Sequence, residues 1–215
     1  MSIALSGPRL APASGKAKSL VVFLHGYGAD GHDLIDIGRM WSGLMPDTAF
    51  ASPHAPDPHP EAPQGRQWFP LASIDFRTID LGVRQAAPIL DAFLDAELAR
   101  YGLGDDRLAL VGFSQGTMLA FEAGPRRKGK IAGIIGYSGM LSGVERLDKA
   151  PHRPPILLVH GGADQLVPVI AVHAAAQALG QAGFPVEWHV SPMLGHGIDE
   201  EGLRLGANFL KRVLG

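Results

Sequence analysis

Arg107-Leu-Ala-Leu-Val-Gly-Phe-Ser-Gln-Gly116 is an apolar run that ends in Gly112-Phe-Ser-Gln-Gly116, followed by the helix-like stretch from Gln115 to Ala123. A buried strand breaking directly into a helix leaves room for only a very tight turn. A residue at its apex is forced into a strained backbone conformation. Side chains two positions before and after would collide, so both are glycine. This spacing makes Ser114 a candidate nucleophile, its hydroxyl held above the end of a sheet. The rival, Ser138 in Gly136-Tyr-Ser-Gly-Met140, also follows an apolar run, but Met140 stands where the second glycine is needed. Ser138 is therefore expected to be structural.

Outward from this turn, apolar runs at Leu20 to His25, Arg107 to Phe113, Ile131 to Tyr137, Ile156 to His160 and Val186 to Val190 read as buried strands. Thr48 to Ser52 is a weaker sixth run. Helical spacing marks Leu81 to Tyr101, Gln115 to Ala123, Val169 to Ala182 and Glu200 to Leu214, with Pro88 expected to kink the first of these or to mark a late start. Alternating strand and helix implies an α/β fold: a mostly parallel sheet with helices on both faces. Ligands of such sheets sit at the carboxyl ends of the strands. Residues 1–215 read as one domain without repeat, linker or large cap. Pro53 to Pro70 forms one long irregular loop.

Composition narrows the class. Net charge is −2, with 19% charged and 46% hydrophobic residues, which excludes a disordered chain and a strongly basic nucleic-acid surface. Cysteine is absent, so disulfides, thiolate metal sites and thiol catalysis are excluded, and a cytoplasmic location is expected. The longest uncharged runs, Leu108 to Phe121 and Ile131 to Val144, fall short of the ~20 residues of a membrane-spanning helix, and both contain Gly and Ser. The N-terminal stretch lacks a basic start followed by a long apolar segment, so no signal peptide is expected.

A serine hydroxyl needs a base, and the imidazole that serves as base needs a carboxylate to orient it. On a strand–turn–helix nucleophile the chain order is serine, acid, histidine. Ile156-Leu-Leu-Val-His-Gly-Gly-Ala-Asp164 offers Asp164 just past a strand, and Met193-Leu-Gly-His-Gly197 offers His196 past the last one. Asp148 lies before a strand, at the wrong end of the sheet. His25 and His160 end strands and are expected to organise loops. No histidine pair has metal-ligand spacing, so neither metal nor cofactor is expected.

Val21-Val-Phe-Leu-His-Gly-Tyr-Gly-Ala-Asp-Gly31 places a glycine-rich loop where a backbone N–H can aim into the site. Tyr27 would supply one donor and Gln115 the other, stabilising charge on a carbonyl oxygen. Because that donor is backbone, the Gln115 side chain is expected to be dispensable. The same stretch also reads G-x-G-x-x-G, at Gly26, Gly28 and Gly31. A dinucleotide site would need an acidic residue at the end of the second strand, and Ala51-Ser-Pro-His-Ala55 has none.

Four segments together, Leu24-His-Gly-Tyr-Gly-Ala-Asp30, Gly112-Phe-Ser-Gln-Gly116, His160-Gly-Gly-Ala-Asp-Gln-Leu-Val-Pro168 and Gly195-His-Gly-Ile198, resemble the phospholipase/carboxylesterase family of α/β-hydrolases, which includes acyl-protein thioesterases. Gln67-Trp-Phe69 matches as well, and the likeness runs from about Leu20 to the C-terminus. The resemblance implies an α/β-hydrolase fold with Ser114 as nucleophile, Asp164 as orienter, His196 as base, and Tyr27 and Gln115 as oxyanion donors. Thr117 stands where many members have a second Gly, and Tyr27 replaces a common Leu. The expected activity is hydrolysis of small acyl esters through an acyl-enzyme, with no nucleic-acid partner and no stable membrane insertion. A thioesterase acting on acyl-proteins or acyl carriers is the alternative, and a non-catalytic α/β protein a remote one. Trp68, Phe69, Leu71 and Thr117 are the expected substrate-binding residues.

Overall fold

The computed structural model describes residues 4–71 and 75–215. The first three residues of the N-terminal stretch read above lie outside it. A seven-stranded sheet has the order β1-β3-β2-β6-β7-β8-β9. Its strands are β1 (Arg9–Leu10), β2 (Ser19–Leu24), β3 (Thr48–Ala51), β6 (Leu108–Phe113), β7 (Gly133–Tyr137), β8 (Ile156–Gly161) and β9 (Val186–Ser191). All neighbours are parallel except β1 against β3. The remaining pair, β4 (Asp57–Pro58) and β5 (Arg66–Gln67), forms a small antiparallel hairpin inside the long proline-rich loop.

Side-chain alternation along β2 explains the layering. Leu20, Val22 and Leu24 face one core, shared with α2 (Phe76–Tyr101), α3 (Gln115–Ala123) and α4 (Ile170–Gln181). Val21 and Phe23 face the other, shared with α1 (Gly31–Ser42) and α5 (Glu200–Leu214). Both faces are thereby covered, as the near-continuous apolar strands require.

The structure corrects three readings. Helix α1, which the periodicity reading passes over, is capped by Asp30, whose carboxylate accepts from the His32 N–H, and it buries Leu34, Ile35, Ile37 and Trp41. Helix α2 begins at Phe76 rather than Leu81, capped by Asp75. It continues through Pro88, which lies on the exposed side of the helix, as does Arg84, whose carbonyl loses its intrahelical donor. Burial of Val83, Ala86, Leu90 and Leu94 opposite offsets the cost. Strand β9, expected to be buried, is an edge strand that among the described residues pairs only with β8, and Trp188 is 53% exposed.

Candidate active site

Ser114 sits between β6 and α3 with φ 51° and ψ −113°. Its N–H donates to the Tyr137 carbonyl at 2.9 Å, extending the β6–β7 ladder one step past Phe113 and Tyr137. A side chain at Gly112 would run into the Thr117 backbone, and one at Gly116 into the Leu24 carbonyl. The glycine spacing is therefore a packing requirement of the turn.

Asp164 follows β8, with its side chain fully buried. One carboxylate oxygen accepts the Leu166 and Val167 N–H groups, each at 2.9 Å. The other is 2.8 Å from Nδ1 of His196. An imidazole bonded in this way donates through Nδ1–H and leaves Nε2 free to accept a proton. The His196 ring lies 4.9 Å from that of Phe113, the residue before Ser114. His160, buried behind this acid, donates from Nε2 to the Val167 carbonyl at 2.8 Å and lies 3.4 Å from Asp164. The structure thus brings Asp164 and His196 together beside the turn that carries Ser114.

His25 organises the opposite side. Its Nε2 accepts from the Ala55 N–H at 3.0 Å, so Nδ1 carries the hydrogen and donates to the Gly26 carbonyl at 2.8 Å. Burial lowers the His25 pKa to about 4, so the ring is neutral at ordinary pH. Because the Gly26–Tyr27 peptide is trans, a carbonyl fixed on one side sends the Tyr27 N–H out on the other. The Gln115 N–H opens α3, where first-turn donors have no intrahelical acceptor.

The Gln115 side chain, which plays no part in the expected backbone donor, has structural partners of its own. It is fully buried, its Oε1 accepting from the Trp68 N–H at 2.9 Å and its Nε2 donating to the Phe69 carbonyl at 2.8 Å. The Trp68 indole donates to the His25 carbonyl at 3.0 Å. Gly28 N–H donates to the Arg66 carbonyl, and Arg66 N–H to the Ala29 carbonyl. The proline-rich loop is therefore stitched to the glycine-rich loop and to the nucleophile helix.

Trp68, Phe69 and Thr117 are each at most 2% exposed, so they support the site from inside the core rather than presenting an open wall. Leu71, packed against the same core, keeps partial exposure. The Thr117 hydroxyl donates to the Tyr137 carbonyl at 2.9 Å, and its methyl packs on Gly136 and Gly139 beneath the turn. Tyr27 keeps partial exposure, its ring 4.3 Å from His59.

The dinucleotide reading fails on the same geometry. The α1 N–H groups that would cradle a pyrophosphate are committed: Gly31 donates to Nδ1 of His54, His32 to the Asp30 carboxylate and Asp33 to the Asp30 carbonyl. The capping carboxylate of Asp30 also occupies the helix end with negative charge. Among the described residues, no group of three His, Asp or Glu could hold a metal ion, and no helix is long and apolar enough to cross a membrane.

Comparison with known proteins adds four findings. The family model described as Phospholipase/Carboxylesterase matches residues 6–214. Esterase YpfH of Escherichia coli (strain K12) is 30% identical over 203 residues, covering 92% of this chain and 84% of that protein. Acyl-protein thioesterase 1 of Schizosaccharomyces pombe is 33% identical over 168 residues, covering 74% of each. Among solved structures, that of esterase PE8 superposes with a TM-score of 0.95 at 42% identity, covering 99% of this chain and 100% of that one.

Proposed function

This chain belongs to the phospholipase/carboxylesterase family of α/β-hydrolases, and from that premise we propose that it is a serine hydrolase that cleaves carboxylic esters. Ser114 attacks the ester carbonyl while Nε2 of His196 takes its proton. Asp164 holds the imidazole in the required tautomer and stabilises the imidazolium that forms. The N–H groups of Tyr27 and Gln115 receive the negative charge that develops on the carbonyl oxygen. His196 then returns its proton to the leaving alcohol. Water, deprotonated by the same nitrogen, hydrolyses the acyl-enzyme. No step calls on a cofactor.

The observation that carries this reading is the 2.8 Å contact between Nδ1 of His196 and Asp164, formed beside a serine held at φ 51°. Backbone strain of that kind, at about 1–3 kcal/mol, persists only where the surrounding structure imposes it. The likeness to two proteins named esterases favours oxygen esters. The likeness to acyl-protein thioesterase 1 favours a second reading, hydrolysis of thioesters through the same acyl-enzyme. Matched oxygen esters and thioesters of graded acyl length, assayed in parallel, test the choice. The expected result is higher kcat/KM on the oxygen ester of each matched pair. A consistent preference for thioesters would replace the first reading with the second.

A further inference from the structure

Two non-glycine residues have positive φ among those described: Ser114 at 51° and Ser138 at 47°. Ser114 is accounted for by the turn that lifts its hydroxyl. Ser138 is not, because it lies in no G-x-S-x-G turn. It follows β7, is fully buried, and donates its N–H to the Val159 carbonyl at 2.9 Å, a bond any residue could make. A glycine would adopt this φ without strain. What glycine would lack is the hydroxyl, and that hydroxyl donates to the Gly197 carbonyl at 3.0 Å.

Gly197 directly follows His196, on a segment where Met193 and Gly195 are exposed. Before His196, the segment is tied by Leu194, whose N–H donates to Ser191 and whose carbonyl accepts from Ala163. After His196, the Ser138 hydroxyl supplies the tie before α5 begins at its Asp199 cap. Ser138 also continues the strand register in which Phe113 faces Tyr137, so it stands beside Ser114. The bond therefore anchors the histidine segment to the strand end next to the nucleophile.

We propose that Ser138 is a positioning residue for His196: its hydroxyl fastens the C-terminal side of the loop that carries the imidazole, in register with Ser114. The proposal rests on the reading of His196 as the base. A small displacement of a proton-transfer group costs much of its rate advantage, and this bond limits the displacement.

The test uses the full-length protein with Ser138→Ala, which keeps the strain and removes the hydroxyl, and Ser138→Gly, which removes both. Both are expected to lower kcat on a short ester by about fivefold to tenfold, the worth of one neutral hydrogen bond, with KM nearly unchanged. Ser138→Gly should melt above Ser138→Ala, because the strain is relieved, without recovering kcat. The downfield proton NMR signal of His196 Nδ1–H should broaden in both. In a His196→Ala background, Ser138→Ala should cost nothing further, since it acts through the missing ring. A Ser138→Gly protein with wild-type kcat and an unbroadened signal would overturn the proposal. So would a Ser138→Ala loss that persists undiminished without His196. Unchanged kcat in His196→Ala alone would instead overturn the reading of the base, a distinct result.

Discussion

On one side of Ser114, every segment is bonded to another that is distant in sequence. His25 ties the Gly26 carbonyl to Ala55, Gln115 ties α3 to Trp68 and Phe69, and the Trp68 indole closes the ring back onto His25. His25 and Gln115 are fully buried. On the other side, His196 rides a segment whose neighbour Met193 is 89% exposed, held by Asp164, Ser138 and the two bonds of Leu194. The contrast matches what the proposed mechanism would ask of each side. Oxyanion donors act best when fixed in advance, because no reorganisation is then needed as charge develops. The imidazole must accept a proton, carry it and release it to the leaving group, and it needs a defined direction with room to adjust. The densely bonded side also argues against the proline-rich loop acting as a lid, since opening it would break the buried bonds of Gln115 and Trp68 together.

Substitutions can break this contrast at graded cost. The largest loss is expected for Ser114→Ala, on the order of 10⁶ in kcat if the three residues act as a unit. Steady-state hydrolysis of a chromogenic ester measures it, with a thermal melt to show the fold intact. Asp164→Asn should follow, with a drop of about 10⁴ as in another hydrolase whose orienting acid was neutralised, because the amide favours the wrong tautomer of His196. Normal turnover in that variant would place the acid elsewhere.

Position 115 sharpens the contrast, because one residue supplies both a buried clamp and a backbone donor. Gln115→Ala removes two buried hydrogen bonds and leaves the Trp68 N–H and Phe69 carbonyl unpaired, so a stability loss of about 1–3 kcal/mol for each is expected in denaturant titration. Gln115→Pro removes the same side chain and also the N–H, at a first helical position where proline is tolerated. The difference between the two variants isolates the donor, and Pro should be slower than Ala by about 10²–10³ in kcat. Equal kcat would remove Gln115 N–H from the oxyanion site.

A further effect concerns pH and stability rather than turnover. His25 is neutral and buried, with its pKa lowered from 6.5 to about 4, whereas in the unfolded chain it titrates near its ordinary value. Between those values the unfolded state binds a proton that the folded state does not. The His25 contribution to stability is therefore complete above about 6.5, falls as pH drops, and levels off below about 4. In His25→Asn, whose amide can still donate to the Gly26 carbonyl, this part of the pH dependence of unfolding should vanish. Urea unfolding of both proteins across that range checks the sign; an unaltered slope would mean that His25 is not the group responsible.

The parts of the fold that rest on local pattern were legible in the chain. Buried parallel strands are continuous apolar runs, and the Gly112–Gly116 turn has a spacing imposed by collision. Helix α1 also left a signal, Asp30 before Leu34, Ile37 and Trp41, although the periodicity reading passes over it. The exposure of Trp188 on β9 could not be read from its own residues, because it depends on what lies beside the strand in the sheet. The same holds for the supporting groups of the site. Gln115 finds its partners 46 and 47 residues away, His25 bonds Ala55 across 30 residues, and Ser138 reaches Gly197 across 59. Candidate catalytic residues are marked by short motifs, whereas the residues that hold them are marked only by contacts the folded chain creates.

The central claim is that Ser114, and no other serine, is the nucleophile served by His196. Peptide mapping of the protein after treatment with a fluorophosphonate tests it most directly. One adduct per chain is expected, on the peptide containing Ser114, forming far more slowly in His196→Ala and absent in Ser114→Ala. An adduct on Ser138, or labelling of Ser114→Ala at the wild-type rate, would contradict the account.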